Sequence, residues 1–335
     1  MSMTHHKFFR FVCFLTIAFP MLGATGCTPT TPATPAATGK PYEIVTTCGM
    51  VTDIVRQVAG PHATVTGLMG EGVDPHLYKP TRDDVARLSK ADVIFYGGLT
   101  LEGKMVDVFE RVARGGKPVV PVTAGLAPDK LRELPGLAGH FDPHVWMDVS
   151  LWSECVQHVA ETLAKYDPPH ASDYLKNAKD YRQELELLDK YILKVIASIP
   201  EKQRVLVTSH DAFEYFSRRY SIPVKSPQGV STESEAGAKD INDLVEFLAE
   251  RKLPAVFMET STNAKAIQAI VEGAAQHGVK VKTGELFSDA MGAHGTYEGT
   301  YIGMLDANAT TIAQALGGEA PAGGCNGKLK GGSHE

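Results

Sequence analysis

Between Pro169 and Pro200 lies one long amphipathic run, and it limits the possible folds more than any other feature. Its apolar or aromatic positions are Tyr174, Ala178, Tyr181, Leu185, Leu188, Ile192 and Val195, in steps of 4, 3, 4, 3, 4 and 3. Lys176, Asp180, Glu184 and Lys190 fall elsewhere on the cylinder. That pattern predicts a single helix over 170–198 with one buried stripe. Roughly 29 helical residues extend about 43 Å, the width of a domain or more. Pro168 and Pro169 precede it and Pro200 follows. A stripe shorter than about four heptads, inside a chain of mixed elements, serves the fold better than a coiled-coil partner. The run is read as a rigid strut.

On either side, short β-branched runs alternate with helical patterns. The strands expected are Glu43–Thr47, Ala63–Met69, Ala91–Tyr96, Pro118–Val122, Arg204–Ser209, Ala255–Glu259 and Val279–Thr283. Between them lie amphipathic segments such as Asp83–Ser89 and Asn263–Gln276, the latter stopped by Gly278. Such alternation implies mainly parallel sheets covered by helices. With 335 residues, the chain suits two cores. The expectation is therefore an α/β fold of two lobes, 41–169 and 200–318, joined by the single long helix 170–199. Residues 319–335, rich in Gly and holding Cys325, are expected to be a loose tail.

The first forty residues have a different character. Lys7 and Arg10 precede an apolar run from Phe11 to Leu22, which ends in Ala-Thr-Gly-Cys at Cys27. Residues 1–26 read as a secretory signal. Thr25, Gly26 and Cys27 resemble a bacterial lipobox, in which the cysteine is acylated, although Ala24 stands where Leu is usual. Ordinary cleavage nearby, leaving a soluble secreted protein, is the plain alternative. Residues 28–40 are Pro, Thr and Ala with almost nothing to bury, so 27–40 is expected to form a lipid-anchored flexible tether. Of the remaining cysteines, Cys48, Cys155 and Cys325 permit one disulfide and one spare thiol without specifying the pair. A net charge of −6 argues against a nucleic-acid partner.

Four residues carry chemistry. Asp-Pro-His occurs at Asp74–His76 and again at Asp142–His144, each followed two residues on by an aromatic, Tyr78 or Trp146. Proline fixes the backbone before each histidine, and the aspartate can orient the turn or accept from the ring. One such histidine is by default a solvated turn residue; two in one lobe suggest imidazoles aimed at a common point. His210 ends the apolar run from Val205 and is read as opening a helical stretch Asp211–Tyr220. It stands at the carboxyl end of a parallel strand, where α/β proteins bind ligands, with a local N-cap role as the alternative. Asp289, in Phe287–Gly292, is a turn former taken alone and an anionic ligand taken with three histidines.

In their local motifs, these four residues resemble the metal-binding solute-binding lipoproteins of ABC importers, the zinc/manganese "cluster 9" family. The resemblance runs from about Tyr42 to Leu316 and is carried by TTCGMVTDIV, GVDPHLY, DPHVWMD, TSHDAFEYF, STESEAG and SDAMGAHGTYEGTYIGM. It implies two lobes joined by one long helix, with the metal in the interlobe cleft. His76 and His144 would come from the first lobe, His210 and Asp289 from the second. It also implies an ABC permease as partner, attachment to the membrane through a lipid on Cys27, and an extracytoplasmic monomer that carries its ion and is not an enzyme.

Three neutral imidazoles and one carboxylate suit borderline metals, here Zn²⁺ or Mn²⁺ with Fe²⁺ also admissible. Zinc-dedicated members of the family often carry a His-rich loop before the second Asp-Pro-His, whereas Ala124–Phe141 holds only His140. Histidines 62, 158, 170 and 277 are read as solvated; His140 and His294 are possible accessory groups. Glu233 and Glu235 are read as solvated or helix-capping. Two other functions compete. A metallohydrolase would need a base beside an open coordination position, yet no HExxH or GxSxG occurs, and Glu71, Asp211 and Glu298 lack a motif. An adhesin has no sequence feature in its favour.

Overall fold

The computed structural model describes residues 41–329. Cys27, the signal expected before it and the expected tether after it lie outside them. In the N-terminal part, β1 (Tyr42–Thr46), α1 (Gly49–Ala59), β2 (Ala63–Gly67), α2 (Arg82–Lys90), β3 (Val93–Tyr96), α3 (Val106–Arg114) and β4 (Val119–Pro121) alternate. Their strands form one parallel sheet in the order β2-β1-β3-β4. Ile44, Val45, Val93, Ile94 and Phe95 are buried under helices, as a parallel sheet covered on its faces requires. Next come α4 (Val149–Tyr166) and the long α5 (Ala171–Ala197).

The C-terminal part contains β5 (Leu206–Val207), α6 (Glu214–Tyr220), β6 (Val224–Lys225), α7 (Ala238–Arg251), β7 (Ala255–Glu259), α8 (Lys265–Gln276), β8 (Lys282–Leu286) and α9 (Tyr301–Ala315). Here β5 pairs with β6 and β7 with β8, each pair parallel. The fold is thus α/β with parallel sheets and a long central helix. Among the described residues no helix is long and apolar enough to cross a membrane.

All seven stripe residues of α5 are buried. They pack on α1 and α4 from the first half and on α9 from the second, so one core cluster runs through both. Polar contacts fix the helix to each side. Tyr181 Oη donates to Asp53 Oδ2 of α1 at 2.9 Å, and Tyr220 Oη donates to Asp189 Oδ1 at 3.0 Å. Arg219 pairs with the same Asp189 carboxylate. A helix gripped along its length by both halves resists wide bending.

Several expectations are corrected. The last strand begins three residues later than the β-branched pattern suggested, because Val279 N–H closes α8 by donating to Ala274 O at 3.0 Å after Gly278 turns left-handed (φ 76°). His210 does not open a helix. Its backbone pairs in parallel with Gln228, extending the β5–β6 ladder, and α6 starts only at Glu214. The tail expected to be loose is tied down as far as Leu329. Cys325 N–H donates to both Asp306 carboxylate oxygens, at 2.8 and 2.9 Å, and Asn326 Nδ2 donates to Tyr297 Oη at 3.0 Å. Cys48, Cys155 and Cys325 are all free thiols. Burial pushes the Cys48 thiol up to about 12, which keeps it protonated and inert.

Candidate metal centre

His76, His144, His210 and Asp289 converge, each offering an atom within 4.8 Å of the others. Two pairs of local devices bring them there. Asp74 Oδ1 accepts from His76 N–H at 2.8 Å, and Asp142 Oδ1 accepts from His144 N–H at 3.0 Å. Each aspartate thereby closes a tight turn over its proline, and the histidine direction follows from the backbone. His210 leaves β5 and Asp289 leaves β8, so both stand beyond the carboxyl ends of parallel strands. The loop carrying Asp289 is pinned from two directions. Asn308 of α9 both donates to Phe287 O (2.7 Å) and accepts from Phe287 N–H (2.9 Å). Trp146 Nε1, the aromatic of the second Asp-Pro-His motif, donates to Ser288 O at 2.9 Å.

The separations have a coordination geometry. His144 Nε2 lies 3.3 Å from His76 Nε2 and 3.3 Å from Asp289 Oδ1. His210 Nε2 lies 3.2 Å from Asp289 Oδ2, and His76 Nε2 lies 3.8 Å from it. Four ligands about 2.0–2.1 Å from a tetrahedral ion stand roughly 3.3 Å apart, so the spacing suits one ion at the centre. His144, His210 and Asp289 are wholly buried, and only His76 retains a little exposure, 6%.

Outer groups set which ring nitrogen faces inward. His144 Nδ1 is 2.8 Å from Asp142 Oδ1, and His210 Nδ1 pairs with Glu259 Oε2. With Nδ1 donating to a carboxylate, Nε2 keeps its lone pair for the centre. Glu259 Oε1 also accepts from the N–H groups of Ser209 (2.7 Å) and His210 (2.9 Å). Burial disfavours a charged imidazole at each position, but Asp142 and Asp289 outweigh it at His144 and raise that group to about 9. At His210 the Glu259 and Asp289 carboxylates also prevail over burial and hold the ring well above its usual range. Burial alone dominates at His76, which falls to about 4. Asp289 is held well below the usual carboxylate range by His210 and His144, against its own desolvation.

One observation separates this cluster from an ordinary buried polar network. Among the described residues, three of the seven buried side-chain polar atoms that lack a hydrogen-bond partner are His210 Nε2, Asp289 Oδ1 and Asp289 Oδ2. Buried polar atoms are almost always paired, and these three point at one another's space. A divalent cation would satisfy all three. Both Asp289 oxygens are free to take part, which admits four or five coordinating atoms.

The sequence reading missed Glu259, Asn308 and Arg132, whose Nη1 holds Asp142 Oδ2 at 3.2 Å. Glu259 ends a strand, and a buried acid at such a point was the available signal. The two accessory histidines are not in the cluster: His140 lines the cavity at His76, while His294 lines a separate one with Arg56. Three of the histidines read as solvated are partly withdrawn from solvent. His62 and His170 stack at 4.0 Å, and His158 Nε2 is buried without a partner. His277 is exposed, and Glu233 pairs with Lys104 at 3.1 Å.

A parallel α/β chain built on one long helix, with a buried three-histidine, one-carboxylate cluster, defines a protein made to hold a single metal ion. The chain belongs to the family described as zinc-uptake complex component A, periplasmic (ZnuA), whose profile matches residues 44–315. It is 43% identical over 302 residues to the manganese-binding lipoprotein MntA of Bacillus subtilis, covering 90% of this chain and 97% of that one. Against the zinc-binding protein TroA of Treponema pallidum, identity is 47% over 281 residues, covering 84% and 90%. The solved structure of periplasmic TroA superposes with a TM-score of 0.79 over 82% of this chain and 99% of that one. The iron-binding protein YfeA of Yersinia pestis is 31% identical over 281 residues, covering 84% and 88%.

Proposed function

We propose that this protein captures one Zn²⁺ or Mn²⁺ ion outside the cytoplasm and delivers it to the permease of an ABC importer. His76, His144, His210 and Asp289 are the proposed ligands, with Fe²⁺ a further admissible cargo. The carrying observation is the set of orphaned atoms on His210 and Asp289. The relatives named for manganese, zinc and iron support the range of cargo. A lipid on Cys27, the tether 27–40 and a monomeric state complete the reading. Lobes 41–169 and 200–318, with 170–199 between them, are its proposed domains. With three of the four groups wholly buried, the cluster meets the exterior only at His76, and four protein ligands can close the ion's coordination shell, which favours carriage over hydrolysis.

Calorimetric titration of the metal-stripped protein with Zn²⁺ and with Mn²⁺ tests this directly. One tight site per chain, for which the two metals compete, is the expected result. Zinc should bind more tightly in vitro, following the general order for divalent ions. No tight site for either metal would remove the proposal.

Binding should also release protons. His144, raised to about 9, carries a proton at pH 7 before the metal arrives, whereas His76, lowered to about 4, does not. The ion must displace whatever the imidazoles hold. At least one proton per ion should therefore leave at pH 7, and affinity should rise with pH toward about 9. Calorimetry in buffers of different ionisation enthalpy measures this, and binding heat independent of the buffer would contradict it.

A further inference from the structure

The loop from Ser226 to Gly237, between β6 and α7, crosses from the C-terminal part to the first Asp-Pro-His motif. Thr232 Oγ1 donates to Asp74 Oδ2 at 2.5 Å, while the other oxygen of that carboxylate holds His76 N–H. Glu233 adds the 3.1 Å ion pair with Lys104. The loop is itself anchored at the metal cluster. Gln228 pairs with the His210 backbone, and its side-chain amide donates to Thr232 O (3.2 Å) and Ser234 O (2.7 Å). A continuous path of hydrogen bonds thus runs from His210 through Gln228, Thr232 and Asp74 to His76. It joins two clustered residues from opposite parts of the fold by a route that avoids the cluster's centre.

The loop that carries this path also lines a cavity beside His76. A cavity of about 270 Å³ is lined by His76, Thr100, His140, Val230, Ser231 and Glu233. His76 alone among the four clustered residues is partly exposed, and it opens on this cavity. The two Asp-Pro-His motifs divide their work accordingly. Asp142 spends its carboxylate on the His144 ring and on Arg132; Asp74 spends its carboxylate on its own turn and on the loop.

We propose that Ser226–Gly237 is the gate through which the ion enters and leaves, and that the Thr232–Asp74 hydrogen bond is its latch. Thr232 is then a positioning residue that acts through Asp74 and never touches the ion. The proposal rests on the metal-binding reading above. Opening this gate requires a few residues to lift and leaves the gripped α5 helix in place.

The test is stopped-flow release of Co²⁺ from the loaded protein into excess chelator, with the visible cobalt spectrum read on the same samples. Thr232→Val keeps the shape of the side chain and removes its donor. Loss of a hydrogen bond to a carboxylate should speed release roughly ten- to a hundredfold. The cobalt spectrum and the stoichiometry should stay as in the native protein, and Thr232→Ser should restore slow release. Glu233→Gln should give a smaller acceleration that added salt abolishes, since its partner pair is exposed. Native release rates in Thr232→Val would overturn the gate. So would a faster rate accompanied by an altered spectrum, which would make Thr232 a support of the site instead. Native protein that takes up no Co²⁺ would overturn the metal-binding reading, and the gate with it.

Discussion

Replacing His210 by alanine is expected to weaken metal binding by well over the roughly 10–100-fold that loss of an outer partner costs, because an inner ligand is removed. The ring is wholly buried, with Nε2 at 3.2 Å from Asp289 Oδ2, so no neighbouring side chain can swing in to replace it. The fold should survive. Glu259 would still accept from the N–H groups of Ser209 and His210, and the β5–β6 ladder depends on backbone pairing. Asp289 would lose the stronger of its two cationic neighbours yet keep His144. A stability loss of about 1–3 kcal/mol is expected for the metal-free protein. Competition against a chelator of known affinity gives the first quantity, and reversible denaturation gives the second. Added imidazole should recover part of the binding, since the vacated space has its shape. Native affinity in a folded His210→Ala protein would sink the ligand assignment.

How much of this was legible beforehand depends on the range of the interactions. The stripe of α5 was readable because helical period is a local property, and each of its seven residues is buried. Two of the clustered residues, His76 and His144, were marked by Asp-Pro-His, which confines its signal to three positions, and the four were legible as a set only through the family resemblance of their motifs. The other two followed apolar strands or a glycine-rich loop. What lay hidden depends on partners distant in sequence. Asp74 and Thr232 are 158 positions apart, and nothing local says that one motif's aspartate serves a loop while the other's serves a ring. The docked tail was misread for the same reason: its glycines and polar residues look unattached until Asp306 and Tyr297 supply acceptors. The errors at β8 and α6 were of boundary. Val279 was counted as strand though its N–H closes a helix, and His210 as helix though its backbone continues a ladder.

Glu259 was the most consequential omission, and it separates two contributions that a ligand substitution cannot. Its carboxylate is buried and serves three donors: two backbone N–H groups and the His210 ring. Glu259→Ala leaves all three without an acceptor. Each stranded buried donor costs about 1–3 kcal/mol, so a loss of roughly 3–5 kcal/mol in the metal-free protein is expected. Glu259→Gln retains the volume and one carbonyl oxygen, and should lose far less stability. It nonetheless replaces an anion by a neutral amide against His210 Nδ1, which makes the ring a poorer donor to the ion. Affinity should fall about 10–100-fold while the stoichiometry stays at one. The two effects meet in a single measurement. At a fixed excess of metal, the stabilisation on binding should be smaller in Glu259→Gln than in the native protein by about 1.4–2.7 kcal/mol. Equal stabilisation would show that the carboxylate only fastens the backbone at Ser209 and His210, and that the proposed centre does not depend on the charge behind His210.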